Sequence, residues 1–433
     1  MSDLRVIHPS RIVKAEIDLT SSKSESNRAL IINALTSGAP MPENLAAARD
    51  TQTMLRLLKE EGENKEVWDV LDAGTTMRFL TAYAAVSGKK KLMTGSHRMQ
   101  ERPIGVLVNA LRELGANITY TTNEGYPPMQ INGFSFNGNS KITMRGDVSS
   151  QYISALLMVA PLLPEGITIE FSTDVASWPY LDMTIRMMEY FGAKVNHPAK
   201  GKLRTLKAGE AVTVLPGQYK PMPFTVEADW SAASYWYSIV ALAAEGSEVT
   251  IKGLKAGKDS LQGDAVMAYN LYNNTDHVGI MEKLGVKTEW KDGITTLTKV
   301  TPVTYFEHDF TFCPDIAQTV SVICAAKGID AKLSGLESLR IKETDRIEAI
   351  KNELAKFGVE VTVIGDEAIE IIGSKFSISG EKKSVETYDD HRMAMSFAPL
   401  GLLGEVQIKN SSVVNKSYPA FWADLGKVGF EIE

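Results

Sequence analysis

"LTSSKSESNRALIINALTSG", Leu19–Gly38, decides how the rest of the chain is read. A turn rich in Ser and carrying Lys23 runs into a helical stretch of small and apolar residues that stops at a glycine. The apolar residues occupy nearly every face, so this helix reads as buried rather than as a surface helix with one greasy stripe. The same plan recurs in "DAGTTMRFLTAYAAVSG" from Asp72, "DVSSQYISALLMVAPLLPEG" from Asp147, "ADWSAASYWYSIVALAAEG" from Ala228, "PDIAQTVSVICAAKG" from Pro314 and "YDDHRMAMSFAPLGLLG" from Tyr388. Their starts lie roughly 50–90 residues apart, longer than a usual solenoid period.

A second kind of segment alternates with the first: an amphipathic helix closed by glycine and usually followed by a strand. Examples are "TMLRLLKEEG" ending at Gly62, "GVLVNALRELGANITY" and "RIEAIKNELAKFGVEVTV". Glycine just past the last apolar position is a helix C-cap signal. Alternating runs such as "ITIEF", "EVTI" and "VEVTVIG" read as strands. The chain therefore reads as six α+β units. With 433 residues it is too long for one ordinary core, so two domains of three units are expected. Each buried helix starts at a polar turn. Helix N-termini carry unpaired N–H groups and partial positive charge, so converging starts would trap anions.

Composition excludes several classes. Hydrophobic residues make up 44% and charged residues 23%, as in a soluble globular protein. A net charge of −7 argues against a general nucleic-acid binder. Cys313 and Cys324 are the only cysteines, which suits a reducing cytoplasm. The histidines His8, His97, His197, His277, His308 and His391 show no metal-ligand spacing, so no metal is expected. "MSDLRVIHPS" lacks an apolar signal core and no run reaches membrane-spanning length, so a cytosolic protein is expected.

The polar turns carry the candidate chemistry. Ser22, Ser24 or Ser26 can each cap a helix, but Lys23, Ser24 and Arg28 together suit a phosphate or carboxylate. The Walker spacing is absent. Gly74 lets backbone approach a ligand, although a tight turn alone would explain it. Arg102 precedes Pro103, which is expected as a first helical residue. Ser149, Ser150 and Gln151 offer more donors than a cap needs. Lys342, Glu343 and Arg346 gather before an amphipathic helix, and Asp390, His391 and Arg392 lead into a small apolar one. Asp315 stands at a buried helix start, where it either caps the helix or moves protons.

In order, "SKSESNRAL", "AGTTMR", "ERPIG", "GDVSSQ", "SWPYLDMT", "PD" at Pro314-Asp315, "RIKETDR", "DDHRMAM" and "NKSYP" resemble the EPSP synthase family over nearly the whole chain. That resemblance implies an α/β fold of two domains, each an inside-out α/β barrel of three βαβαββ-type units, with the active site between domains. It pairs residues 1–19 with 227–433 as the phosphoenolpyruvate and acid/base side. Residues 20–226 form the shikimate 3-phosphate side. The implied reaction moves the enolpyruvyl group of phosphoenolpyruvate to the 5-hydroxyl of shikimate 3-phosphate.

Carried over residue by residue, phosphoenolpyruvate is contacted by Lys23, Gly74, Arg102, Gln151, Arg346, Arg392 and Lys416. Shikimate 3-phosphate is contacted by Ser24, Arg28, Ser149, Ser150, Gln151, Ser177, Asp315 and Lys342, and Tyr180 lines its ring. Asp315 and Glu343 are the proton-transfer pair, in either order, with Lys23 assisting. The resemblance implies small-molecule substrates, a monomer, no cofactor, no membrane and no nucleic acid, and competition by glyphosate. The chain departs from the family pattern at Ser22, where Gly is common, at Phe79, where Pro is usual, and at Ser338, where Asn is frequent. The sister transferase acting on UDP-N-acetylglucosamine pairs Lys with Asn at the first motif; here the pair is Lys23-Ser24. A non-catalytic repeat protein would not need the cationic set.

Overall fold

Strand Val67–Asp69 pairs parallel with Lys91–Thr94, which pairs antiparallel with Met129–Phe134, which pairs antiparallel with Ala116–Tyr120. Parallel neighbours need a crossover, and the buried helix Gly74–Val86 supplies it. The helix Gly105–Glu113 then leads from the second strand to the closing hairpin, giving a βαβαββ path. In the computed structural model, which describes residues 3–61, 65–200, 204–257, 259–269, 278–379 and 383–433, there are five four-stranded sheets among the described residues, and three of them follow this path within one continuous stretch of chain. Gly62 and His277 lie outside the described residues.

Two of these sheets explain how the chain divides. In one, Lys14–Asp18 pairs parallel with Glu248–Lys252, although 21–226 intervene. In another, Leu4–Ile7 lies between Val406–Ile408 and Glu431–Ile432. The first residues thus complete two sheets of the C-terminal half. The chain forms one compact unit of 1–20 with 227–433 and another of 21–226. Thr20 goes with the former, where its carbonyl accepts the Asp229 N–H at 2.8 Å. At the start of the second unit, helices Lys23–Ala34 and Arg49–Glu61 follow the same alternation, and Glu43 and Thr225 form a parallel bridge.

Burial separates the helix types. All of His391–Phe397, and all of Trp230–Leu242 except Ser231, are buried. Helix Gly105–Glu113 buries only Leu107, Val108, Ala110 and Leu111, and helix Arg346–Ala355 also keeps an exposed face. In the first unit Trp230, Trp236, Phe310 and Phe421 belong to one continuous core. Gly115, after helix Gly105–Glu113, has φ +109, and a Cβ there would meet the Ser135 carbonyl oxygen at 1.9 Å. Only glycine fits that C-cap. Pro103 is not the first helical residue; that helix begins at Gly105. No described helix is long and apolar enough to cross a membrane.

Candidate active site

In the unit 21–226 the helix starts are tied to one another. Ser22 caps helix Lys23–Ala34 by accepting the Glu25 N–H. Lys23, in its first turn, sends Nζ to Asp50 Oδ2 at 3.2 Å. The Asp50 backbone carbonyl accepts the Thr76 hydroxyl at 3.1 Å, which links this start to helix Gly74–Val86. Gln151 Nε2 donates to Thr75 Oγ1 at 3.1 Å, and Ser149 caps the helix Ser150–Val159. A Cβ on Gly74 would lie 2.7 Å from nitrogens of both Arg102 and Arg78. The two guanidinium groups therefore crowd over this turn, and the missing side chain makes room for them.

Arg28 lies deeper. Its Nε donates to Thr184 Oγ1 at 2.7 Å, Nη1 to the Ser24 carbonyl at 2.9 Å, and Nη2 to the Tyr180 carbonyl at 3.2 Å and Ser154 Oγ at 3.4 Å. Burial lowers its pKa to about 10, so it remains a cation at neutral pH. Among the described residues, one of its five N–H donors, on Nη1, has no hydrogen-bond partner. These bonds join Arg28 to Ser24 and Tyr180. Ser177 adopts left-handed backbone, φ 52, immediately before helix Trp178–Tyr190.

In the unit 1–20 with 227–433 a denser cluster forms. Arg346, the first residue of helix Arg346–Ala355, is 2% exposed. It donates from Nε to Asp390 Oδ2 at 2.6 Å, from Nη1 to Asp315 Oδ1 at 3.1 Å and from Nη2 to Glu343 Oε2 at 2.9 Å. Arg392 Nη2 donates to Asp315 Oδ2 at 2.9 Å, and Nη1 to the Asp315 carbonyl at 3.2 Å. Lys416 Nζ is 3.1 Å from Glu343 Oε1, and Lys342 Nζ is 3.7 Å from Asp315 Oδ1. Burial raises the Asp315 pKa, but Arg392, Lys342 and Arg346 outweigh it and hold this carboxyl well below the usual carboxylate range. Asp315 does not cap helix Ala317–Ala326; it sits in the preceding 3-10 turn Pro314–Ile316.

All six sequence-marked residues of this unit, Asp315, Lys342, Glu343, Arg346, Arg392 and Lys416, are joined by these contacts. Sequence reasoning missed Asp50 and Asp264 and gave Asp390 no role. Asp50 reads as an ordinary acid in the first turn of an amphipathic helix. Asp390 caps helix His391–Phe397 through the Arg392 N–H at 2.8 Å and also holds Arg346. Asp264, an acid set in the apolar run "GDAVM", is 3% exposed. No group of three or more His, Cys, Asp or Glu that could hold a metal occurs among the described residues.

Cations clustered at helix starts and 3-10 turns, with a carboxylate pair among them, have the chemistry of an enzyme that handles anionic small molecules through proton transfer. The profile of "EPSP synthase (3-phosphoshikimate 1-carboxyvinyltransferase)" matches residues 7–71 and 60–425, and the chain belongs to that family. A 3-phosphoshikimate 1-carboxyvinyltransferase of Bacteroides fragilis is 44% identical over 430 residues, covering 98% of this chain and 97% of the relative. One from Colwellia psychrerythraea is 35% identical over 449 residues, with 98% of each covered. The solved EPSP synthase from Acinetobacter baumannii, 21% identical, superposes with TM-score 0.74 over 100% of both chains and shares the fold.

Proposed function

We propose that this chain transfers the enolpyruvyl group of phosphoenolpyruvate to the 5-hydroxyl of shikimate 3-phosphate, releasing phosphate, as one step toward chorismate and the aromatic amino acids. The observation that carries the reading is the Asp315–Glu343 pair set among Lys342, Arg346, Arg392 and Lys416, in a member of this family.

The substrates bring two phosphates and two carboxylates. Arg346, Arg392 and Lys416 from one unit, with Lys23, Arg102, Gln151 and the Gly74 backbone from the other, are assigned to phosphoenolpyruvate. Ser24, Arg28, Ser149, Ser150, Gln151, Ser177 and Tyr180, with Lys342 and Asp315, are assigned to shikimate 3-phosphate. In this reading each unit is an inside-out α/β barrel of three repeats, and the crossovers near residues 20 and 227 are hinges. The protein acts as a cytosolic monomer. Its cationic half-sites repel one another until the anionic substrates neutralise them, so binding favours closure.

Chemistry then needs one proton delivered and one removed twice over. Phosphoenolpyruvate gains a proton on its methylene carbon while the 5-hydroxyl attacks C2 and loses its own proton. The tetrahedral adduct loses a methyl proton and phosphate. Asp315 is held ionised by its cations, and it gains the basicity needed to accept a proton as the anionic substrate takes Arg346 and Arg392 from it. Glu343, gripped by Arg346 and Lys416, is the other member of the pair, and Lys23 assists. The test is phosphate release from phosphoenolpyruvate with shikimate 3-phosphate, set against UDP-N-acetylglucosamine. Turnover with the sugar nucleotide alone would reverse the assignment.

A further inference from the structure

The segment Ser260–Asp264 is fastened to the start of helix Trp230–Leu242 at two points. Gln262 accepts the Trp230 N–H at 2.9 Å and donates to the Ala228 carbonyl at 2.8 Å. Two residues on, Asp264 Oδ2 accepts a short hydrogen bond from the Ser231 hydroxyl. Asp264 Oδ1 is buried with no hydrogen-bond partner among the described residues. Ser231 Oγ lies 3.5 Å from Arg392 Nη2, and the Tyr235 hydroxyl lies 3.5 Å from Arg392 Nη1. Both are long contacts that have room to tighten.

An ionised carboxylate only accepts hydrogen bonds. Asp264 in that form compels the Ser231 proton to point toward it, which leaves the Ser231 lone pairs for Arg392. An anion entering the cluster competes with Asp315 for Arg392, since Asp315 now holds Nη2 at 2.9 Å. Ser231 and Tyr235 are neutral acceptors and can keep their hold as Asp315 is displaced. We propose that Asp264 is a positioning residue for phosphoenolpyruvate binding, setting the direction of the Arg392 guanidinium through the Ser231 hydroxyl. The inference rests on the reading of Arg392 as a phosphoenolpyruvate ligand.

The charges that face Asp264 are Asp315 in the turn Pro314–Ile316, Arg392 at the start of helix His391–Phe397, and Asp229 at the cap of helix Trp230–Leu242. Burial first, and then the Asp315 charge, push its pKa up to about 7. The orienting, ionised form is therefore the one populated above neutrality.

The test is steady-state kinetics of the native protein, Asp264→Asn, Ser231→Ala, the double variant and Arg392→Lys. Asn keeps the shape of Asp but its amide can donate to Ser231 and turn the lone pairs away. Asp264→Asn is expected to raise KM for phosphoenolpyruvate roughly tenfold with kcat held within about threefold, and to leave KM for shikimate 3-phosphate unchanged. The gap from the native protein should widen as pH rises through about 7. The double variant should be no worse than either single one, because both break the same link. An unchanged KM in Asp264→Asn, or losses that multiply in the double variant, overturns the inference, provided Arg392→Lys raises that KM. If Arg392→Lys leaves it unchanged, the ligand assignment itself falls. Should Asp264→Asn not fold, Ser231→Ala, at a half-buried hydroxyl, carries the same expectation alone.

Discussion

Arg346 and Asp390 form a sealed ion pair: Nε to Oδ2 is 2.6 Å, and the side chains are 2% and 0% exposed. The pair joins the first turn of helix Arg346–Ala355 to the cap of helix His391–Phe397, so two cluster elements are positioned by one contact. Burial lowers the pKa of the guanidinium, but Asp390, Glu343 and Asp315 more than reverse this and raise it above the ordinary arginine value.

Breaking a buried pair costs about 3–5 kcal/mol when it strands the remaining charge, and because Arg346 keeps Asp315 and Glu343 the cost here falls at the lower end. Asp390→Ala is expected to destabilise the unit holding residues 227–433 by that order and to abolish turnover. Urea unfolding followed by tryptophan fluorescence reads the first effect, and a loss below about 1 kcal/mol would show that the pair is dispensable.

Gly74→Ala puts a methyl group 2.7 Å from nitrogens of Arg78 and Arg102. Both guanidinium groups have to shift. KM for phosphoenolpyruvate is expected to rise several-fold, and glyphosate, which the family resemblance implies is a competitor of phosphoenolpyruvate, is expected to bind more weakly. An inhibition constant equal to that of the native protein would remove Gly74 from the site.

Asp315 is held well below the usual carboxylate range by Arg392, Lys342 and Arg346, against the effect of its burial. It should remain ionised across the working range, so the acid limb of kcat/KM, which reports the free enzyme, belongs to another group. Asp315→Asn is expected to lower kcat by roughly 100-fold or more and leave that limb where it was. A limb that vanishes in the variant would assign it to Asp315.

Glu227 begins the returning segment of the first unit. It accepts hydrogen bonds from Ser260 Oγ at 2.5 Å and Gln262 Nε2 at 2.9 Å. Burial, opposed by those bonds and by Lys255, pushes its pKa up to about 7. A carboxyl raised on folding contributes stability at low pH that is lost as pH rises through its folded pKa. Glu227→Gln is therefore expected to gain stability relative to the native protein between pH 5 and pH 8, by on the order of 1–3 kcal/mol at the upper end. Thermal melts across that window that run parallel for the two proteins would contradict it.

Binding of anionic substrates is expected to compact the protein in small-angle scattering when shikimate 3-phosphate is added with a phosphoenolpyruvate analogue. Unchanged dimensions would exclude substrate-driven closure.

Helix starts were legible because capping and burial are local. "SSKSESNRAL" and "DDHRMAM" announce a polar turn entering an apolar helix, and Ser22 and Asp390 do cap those helices. Pro103 misled because a proline at a helix start and one two residues ahead of it look alike in sequence. Asp315 looked equally like a cap, yet its carboxylate goes to Arg346 and Arg392, which lie 31 and 77 residues away in the chain. Asp50 and Asp264 stayed hidden for the same reason: an acid acquires meaning from its partner, and their partners Lys23 and Ser231 are distant in sequence.

By itself, the amino-acid sequence determined the alternation of strands with buried and half-buried helices, since periodicity, caps and glycine stops act over a few residues. It also determined the family, through motifs whose order needs no coordinates. Only the tertiary structure decided that Leu4–Ile7 completes a sheet with Val406–Ile408 and Glu431–Ile432, and that Arg346 is shared among Asp315, Glu343 and Asp390. Strand pairing and buried charge are satisfied by whichever groups the whole chain brings within bonding distance, and no local stretch specifies them.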